Sequence, residues 1–433
     1  MNEVDARVAL PGGAAILGIR MGEVDRFLVP LDDAAIIAWF FSHLFVAHNL
    51  RERLFALSMS AAGVPRGGAN GFSRCWTLES PLAGRDSLPG PDPRDGGWAS
   101  ILERTGAAAA HAVDVLGHPR LEAHPSRCIF LRDYHGSARD TVVVFVFPHG
   151  ARRPAAVVKV RPAVGNPTPL REEWLALSRT RRRLPPALRG RVPKPLGFET
   201  IAGQDVLAMS ALAGRSAYVE LYQGLEPARC VARHFQAAAD WLAHFHEATR
   251  IPHRSYRPEH DEALNELLAA EPRGSGWHDR LLELTARRPV PLCAGHGDFW
   301  ARNLVLPHAV VSPALNAAGV VDFEHGSPEA SPFHDLLQFP LTYGLDYPWS
   351  RFRRRRLPEA FRLTFLERNC VSAAVRQYFA DYCSRSALDK ALLLPAAHVQ
   401  LLARAHQAPA HQRAQWLACQ HLLQRAEASV FSF

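Results

Sequence analysis

The stretch His296-Gly297-Asp298-Phe299-Trp300-Ala301-Arg302-Asn303-Leu304-Val305-Leu306, followed by Val320-Val321-Asp322-Phe323-Glu324, constrains this chain more than any other segment. It reads H-G-D-x-x-x-x-N, then an apolar strand that ends in a second aspartate. A loop, strand, turn and strand from Gly295 to Asp322 would return Asp322 beside Asn303. An amide and a carboxylate so placed are hard oxygen donors of the kind Mg²⁺ takes. A loop aspartate that merely caps a helix would need neither the Asn303 step nor Asp322. A hydrolase dyad on His296 lacks a nucleophile elbow anywhere in the chain.

Phosphoryl transfer from ATP needs few protein groups. One carboxylate accepts the proton of the attacking hydroxyl, while an amide and another carboxylate hold Mg²⁺ on the phosphates. Asp298, Asn303 and Asp322 fit those roles in that order. A cation for the phosphates is available upstream. Only Lys159, Lys194 and Lys390 are lysines among 50 basic residues, and Lys159 sits in the apolar run Ala155-Ala156-Val157-Val158-Lys159-Val160. An ammonium there is costly unless an anion meets it, although an edge-strand lysine facing water would avoid the cost. The following helix offers Glu172 and Glu173. The spacing of Leu175 and Leu177 favours Glu172, with Glu173 left open. Before Lys159, Asp133–Asp140 forms a hairpin tip in which Gly136 and Ser137 would let backbone N–H groups approach phosphates.

Composition bounds the setting. A chain of 433 residues, 48% hydrophobic and 21% charged, is globular and has room for two or three domains. Its seven cysteines are dispersed without a C-x-x-C pair, which fits reduced thiols and a cytoplasmic location. The amino terminus lacks the basic and apolar regions of a signal peptide. Ala34–Ala47 is the most apolar run, but it is short and holds Ser42 and His43, so a buried helix is expected and no transmembrane segment.

Punctuation divides the chain into three regions. Residues 1–120 have a strand-like start, a helix over Ala34–Leu57, a Gly/Pro-rich stretch Gly63–Gly97 and a helical pattern at Trp98–Leu116; no role is assigned to them. Residues 125–212 are β-rich, with strands expected at Arg127–Arg132, Thr141–Pro148, Ala155–Val160 and Asp205–Ala211 and a helix starting at Pro169. Pro193-Lys194-Pro195 reads as a turn or extended link. Residues 213–433 are mostly helical, with periodic runs at Arg229–Ala248, Pro358–Ser384, Ala387–Ala405 and His411–Ala428. Asp335, near the start of a helical segment, is expected to cap or brace it. His246 is read as a structural histidine, since His244 and His246 do not share a helix face.

Taken together, Lys159, Glu172, Val192–Leu196, Met209–Gly214, the HGD loop, the DFE segment and Asp335 resemble the aminoglycoside phosphotransferase and choline kinase superfamily over about residues 125–345. The resemblance implies an α+β, protein-kinase-like bilobal fold, with a small antiparallel β lobe, a helical lobe and an additional amino-terminal region. It implies ATP between the lobes, its adenine read by hinge backbone around Met209 and Ala211. Asp298 would be the catalytic base and Asn303 and Asp322 the magnesium ligands. Gly136 and Ser137 sit in a phosphate loop poorer in glycine than the family's usual one.

From residue 340 onward there are six acidic and thirteen basic residues, with a cluster at Arg351 and Arg353–Arg356. Like charge is costly to bring close, so a polycationic acceptor is disfavoured and a neutral or anionic hydroxyl compound is expected. No nucleic-acid module accompanies the cluster. The competing reading is a pseudokinase, a ligand-binding module without turnover. Oligomeric state is open.

Overall fold

The computed structural model describes residues 3–9, 15–21, 25–30, 33–44, 128–133, 141–162, 168–201, 203–223, 226–260, 275–307, 318–349 and 356–426. The expected phosphate hairpin with Gly136 and Ser137, the Gly63–Gly97 stretch, the helical pattern at Trp98–Leu116 and the arginines at 351–355 lie outside the described residues. The chain divides into two units, one of residues 1–175 and 193–213, the other of residues 176–192 and 214–433.

The first unit is built on one antiparallel sheet. Its strands are β1 (Glu3–Ala9), β2 (Ala15–Met21), β3 (Asp25–Pro30), β4 (Cys128–Asp133), β5 (Thr141–Val146), β6 (Ala156–Pro162), β7 (Pro195–Ile201) and β8 (Gln204–Ser210), in the order β1-β2-β3-β4-β5-β6-β8-β7. The sheet therefore continues through the boundary that the sequence suggested near residue 120, because β3 pairs with β4 from Asp25↔Asp133 to Leu28↔Phe130. Strand β5 alternates as its valines predict, burying Val142, Val144 and Val146. Strand β7 is a strand that the proline-flanked link concealed.

Helix α1 (Ala34–His43) carries the most apolar run. Asp33 caps it by accepting from the amides of Ala35 and Ile36, while Ile36, Ile37, Phe40 and Phe41 are fully buried. Its Trp39 packs on Phe145 and Phe147 at 5.4 and 5.3 Å. Each such burial contributes roughly 1.5–3 kcal/mol. Among the described residues no helix is long and apolar enough to cross a membrane.

Helix α2 (Pro169–Arg183) starts in the first unit and ends in the second, where α3 (Pro186–Arg189) follows. The second unit continues with β9 (Arg215–Ser216), α4 (Ala217–Gln223), α5 (Pro227–Thr249), α6 (Ser275–Arg287), β10 (Cys293–Gly295), β11 (Leu304–Leu306), β12 (Gly319–Val320), β13 (Ser327–Ala330) and α7 (Pro332–Asp346). After these come α8 (Leu357–Phe361), α9 (Cys370–Ser386), α10 (Leu393–Gln407) and α11 (Ala410–Ala426). The periodic run at Pro358–Ser384 is not one helix. A π-helical turn at Arg362–Leu366 precedes Asn369, whose side chain accepts from Val371 and Ser372 in a capping box and restarts the chain as α9. An aromatic core joins α5, α7 and α9: Phe235 meets Phe339 at 5.3 Å and Tyr378 at 5.7 Å. Trp241 stacks on Phe299 at 5.3 Å, which ties the loop after β10 to this core.

Candidate active site

Strand β6 lies between β5 and β8, so Lys159 is not on a sheet edge. Alternation sends Ala156, Val158 and Val160 to one face and Val157 and Lys159 to the other. There Val157 packs with Leu170, Leu207 and Met209. The Lys159 ammonium donates to both carboxylate oxygens of Glu173, at 2.8 and 2.7 Å, and the two side chains are 11% and 1% exposed. The partner is therefore Glu173, and the expectation of Glu172 is corrected: Glu172 is exposed. The buried stripe of α2 runs Leu170, Glu173, Leu177, Thr180. That spacing puts Glu173 on the inward face and turns Glu172 outward. Leu175, which pointed to Glu172, is only partly buried.

The expected hinge residues differ from one another. Met209 is buried in the cluster with Leu170 and Leu207, while the Ala211 amide donates to the Ala155 carbonyl at 3.0 Å. An adenine there would meet backbone atoms other than that N–H.

In the second unit, the HGD loop leaves β10 and is held from several sides. Asp335 is fully buried and accepts from the His296 amide at 2.6 Å and the Gly297 amide at 2.9 Å. It does not cap α7; Ser331 does, by accepting from the Phe333 amide. Asp335 instead reaches back from the first turn to fix the loop. His296 accepts from the Asp298 amide on Nδ1 at 3.3 Å, so its Nε2–H donates to the Val321 carbonyl at 2.9 Å. Its ring packs 4.6 Å from Phe323. One histidine thus links the HGD loop to the DFE segment. Gly297 has φ +81°, and a Cβ there would collide with the His325 backbone carbonyl.

Asn303 spends its amide nitrogen on Asp298, donating to the backbone oxygen at 2.9 Å and the carboxylate at 3.4 Å. That leaves its Oδ1 as the candidate metal ligand. Leu304 pairs with Val320, and the Val321 amide donates to the Asn303 carbonyl at 3.0 Å. The hairpin thereby brings the DFE segment beside Asn303. Asp322 has φ +70°, left-handed backbone that a non-glycine residue adopts at a cost. Its carboxylate and that of Glu324 lie within 4.8 Å of each other. Glu324 was visible as the E of DFE, but no spacing rule marked it as a ligand.

Burial lifts the Asp298 carboxyl above the ordinary aspartate range; Asp322 adds to the lift and Arg404 pulls against it. Asp335 behaves oppositely. Burial alone would raise it, but His246 and the other neighbouring histidines hold it down to about 2. His246 accepts or donates at 2.7 Å with the Tyr382 hydroxyl and faces Asp335 at 3.8 Å, an ion-pair rather than a hydrogen-bond distance. Burial pushes His246 down, yet Cys293 and Asp335 bring it to about 9.

A cleft of about 500 Å³ opens on Asp298 within this unit, lined also by His325, His334, Gln338, Arg404 and Gln407.

Solved structures similar to the chain include two aminoglycoside phosphotransferases. The aminoglycoside phosphotransferase APH(3'')-Id of Streptomyces rimosus, solved with ADP and streptomycin, is 17% identical with a TM-score of 0.34, covering 59% of this chain and 90% of that one. An aminoglycoside-3'-phosphotransferase of type VIII is 18% identical with a TM-score of 0.37, covering 68% and 99%. No curated protein matches the sequence. The model of the phosphotransferase enzyme family matches residues 131–370, more than half of the chain and the span that holds Lys159, Glu173, Asp298, Asn303 and Asp322, and the chain belongs to that family.

Proposed function

We propose that this phosphotransferase is an ATP-dependent kinase that moves the γ-phosphoryl group to a hydroxyl of a small molecule. The observation that carries the reading is the second-unit constellation. Asp298 is half-buried on a loop clamped by Asp335, with Asn303 and the Asp322 segment joined to it by hydrogen bonds. In this reading Asp298 takes the proton of the acceptor hydroxyl. The hydroxyl oxygen bonds to the γ-phosphorus, the bond from that phosphorus to the bridging oxygen breaks, and ADP leaves with the electron pair. A carboxylate whose proton affinity is raised by burial is suited to receive that proton.

The donor set of Asn303 Oδ1 and the Asp322 carboxylate, with Glu324 nearby, is made of hard oxygens and fits Mg²⁺. A bound Mg²⁺ would neutralise charge developing on the phosphates. Lys159, oriented by both oxygens of Glu173, supplies a fixed ammonium for phosphate oxygens.

The acceptor is a neutral or anionic hydroxyl compound, and no nucleic acid is expected. The test is Mg²⁺-dependent ADP release by the full chain over a panel of sugars, polyols, amino alcohols and aminoglycosides, with Asp298→Asn as control. The expected result is a fall in kcat of about 10²–10⁴-fold in the variant, with nucleotide affinity unchanged within a few-fold. A variant that keeps the wild-type rate sinks the mechanism. Nucleotide binding without turnover on any acceptor would favour the pseudokinase.

A further inference from the structure

The cleft on Asp298 holds one feature that phosphoryl transfer itself does not require. Among the described residues, Arg404 is the one lysine or arginine that lines it. It stands on α10 with Gln400 and Gln407, a 400/404/407 spacing that makes one helix face. Gln400 fixes that face to the site, because its amide nitrogen donates to His334 Nδ1 at 3.2 Å. His334 then donates from Nε2 to the Gly297 carbonyl at 3.0 Å. Both ring nitrogens of His334 are thus engaged within the protein, and among the described lining residues the permanently charged cation is Arg404.

Arg404 is half-buried, and among the described residues its guanidinium makes no hydrogen bond and no ion pair within 4.0 Å. A guanidinium, with its planar fork of N–H donors, therefore lines the cleft with those donors not used by the described protein groups. The acidic lining is Asp298 and Asp335. Asp335 is fully buried and already spent on the two loop amides. A polycation entering here would meet an arginine and one accessible carboxylate.

We infer that Arg404 is a specificity-determining residue that binds a carboxylate of the acceptor, so that the acceptor is a hydroxy acid of sugar or polyol size. A carboxylate is matched by a single guanidinium through two parallel hydrogen bonds. A phosphate dianion would call for a second fixed cation, and Arg404 is the one lysine or arginine in the described lining. The assignment rests on the kinase reading, since it makes this cleft the acceptor site.

The test measures binding to the full chain by calorimetry. The Mg²⁺ complex of a non-hydrolysable ATP analogue is titrated first. Glucuronate, glucose, glucosamine and glucose 1-phosphate are then titrated into the nucleotide complex. Glucuronate should bind tightest. Arg404→Gln should weaken glucuronate by roughly 10–100-fold, the range of a charge-assisted pair, and change glucose by less than about twofold. Arg404→Lys should recover part of the loss. If Arg404 served only to balance Asp298, the variants would shift all four probes alike, and the inference would be wrong. Equal affinities in the wild type, tighter glucose 1-phosphate, or no glucuronate binding would also overturn it. Failure of the ATP analogue to bind at all would instead remove the kinase reading, so the two failures are separable.

Discussion

A lysine ammonium enclosed in the middle of a sheet is tolerable only where a carboxylate meets it at hydrogen-bond distance, and Lys159 has both oxygens of Glu173. Removing one partner would strand the other charge in a poorly hydrated place. Glu173→Ala is expected to cost about 3–5 kcal/mol, as broken buried pairs do. Glu172→Ala, one residue away on the exposed side, should stay within about 0.5 kcal/mol. Urea unfolding of the two variants decides the pairing; equal losses would contradict it. The pair also shows where residue-level reading ran out. The requirement for an acid was legible from an ammonium among valines. Choosing between adjacent glutamates needed the helix phase, and that was set by Leu170 and Thr180 rather than by Leu175. Arg404 was equally hidden, because nothing in its local sequence reports that α10 turns it toward Asp298.

At the scale of elements, the β10 loop and the β11–β12 hairpin act as one piece, joined by His296 to Val321 and by Asn303 to Asp298. Gly297 lets that piece close, since it turns in the left-handed region against the His325 backbone. Gly297→Ala should therefore cost at least about 1–3 kcal/mol from backbone strain, with a further loss of kcat because Asp298 is the next residue. A melting temperature and turnover number within error of wild type would show that the loop does not need this conformation. The spacing H-G-D-x-x-x-x-N predicted this piece well, because each step is local. Strand alternation likewise located β5, β6 and β8 to within a residue or two. Breaks inside helical periodicity were harder. The restart at Asn369 depends on a reciprocal cap with Ser372, which an apolar pattern does not register. Strand β7 is set by its register against β8, from Gly197↔Ala208 to Ile201↔Gln204, and its own proline-led sequence gave no strand signal.

For the whole molecule, stability should carry the mark of the buried His246–Asp335 pair. Against burial, Cys293 and then Asp335 raise His246 to about 9 in the fold. Its contribution is complete below its unfolded value of about 6.5 and is lost as pH rises through 9. Asp335 is lowered to about 2, so its contribution is present above its unfolded value of about 4 and is lost only as pH falls through 2. The pair is thus most stabilising between these limits. Between neutrality and pH 9 the wild type should lose up to about 1.4 kcal/mol per pH unit relative to His246→Gln. Melting curves of both proteins across that interval measure the difference, and parallel curves would mean that His246 is neutral in the fold. The division of the chain has a consequence for dissecting the gene. The chain enters the helical unit at Ala176, goes back to the sheet unit at Pro193, and leaves it at Ala213. A fragment beginning at Gly214 would lack Arg191, whose carbonyl accepts from the Val320 amide at 2.9 Å and whose guanidinium faces Asp240 at 3.7 Å. A single crossover after Ala213, in recombination between relatives, would therefore exchange most of the helical unit while leaving behind the segment that braces β12, the strand leading to DFE.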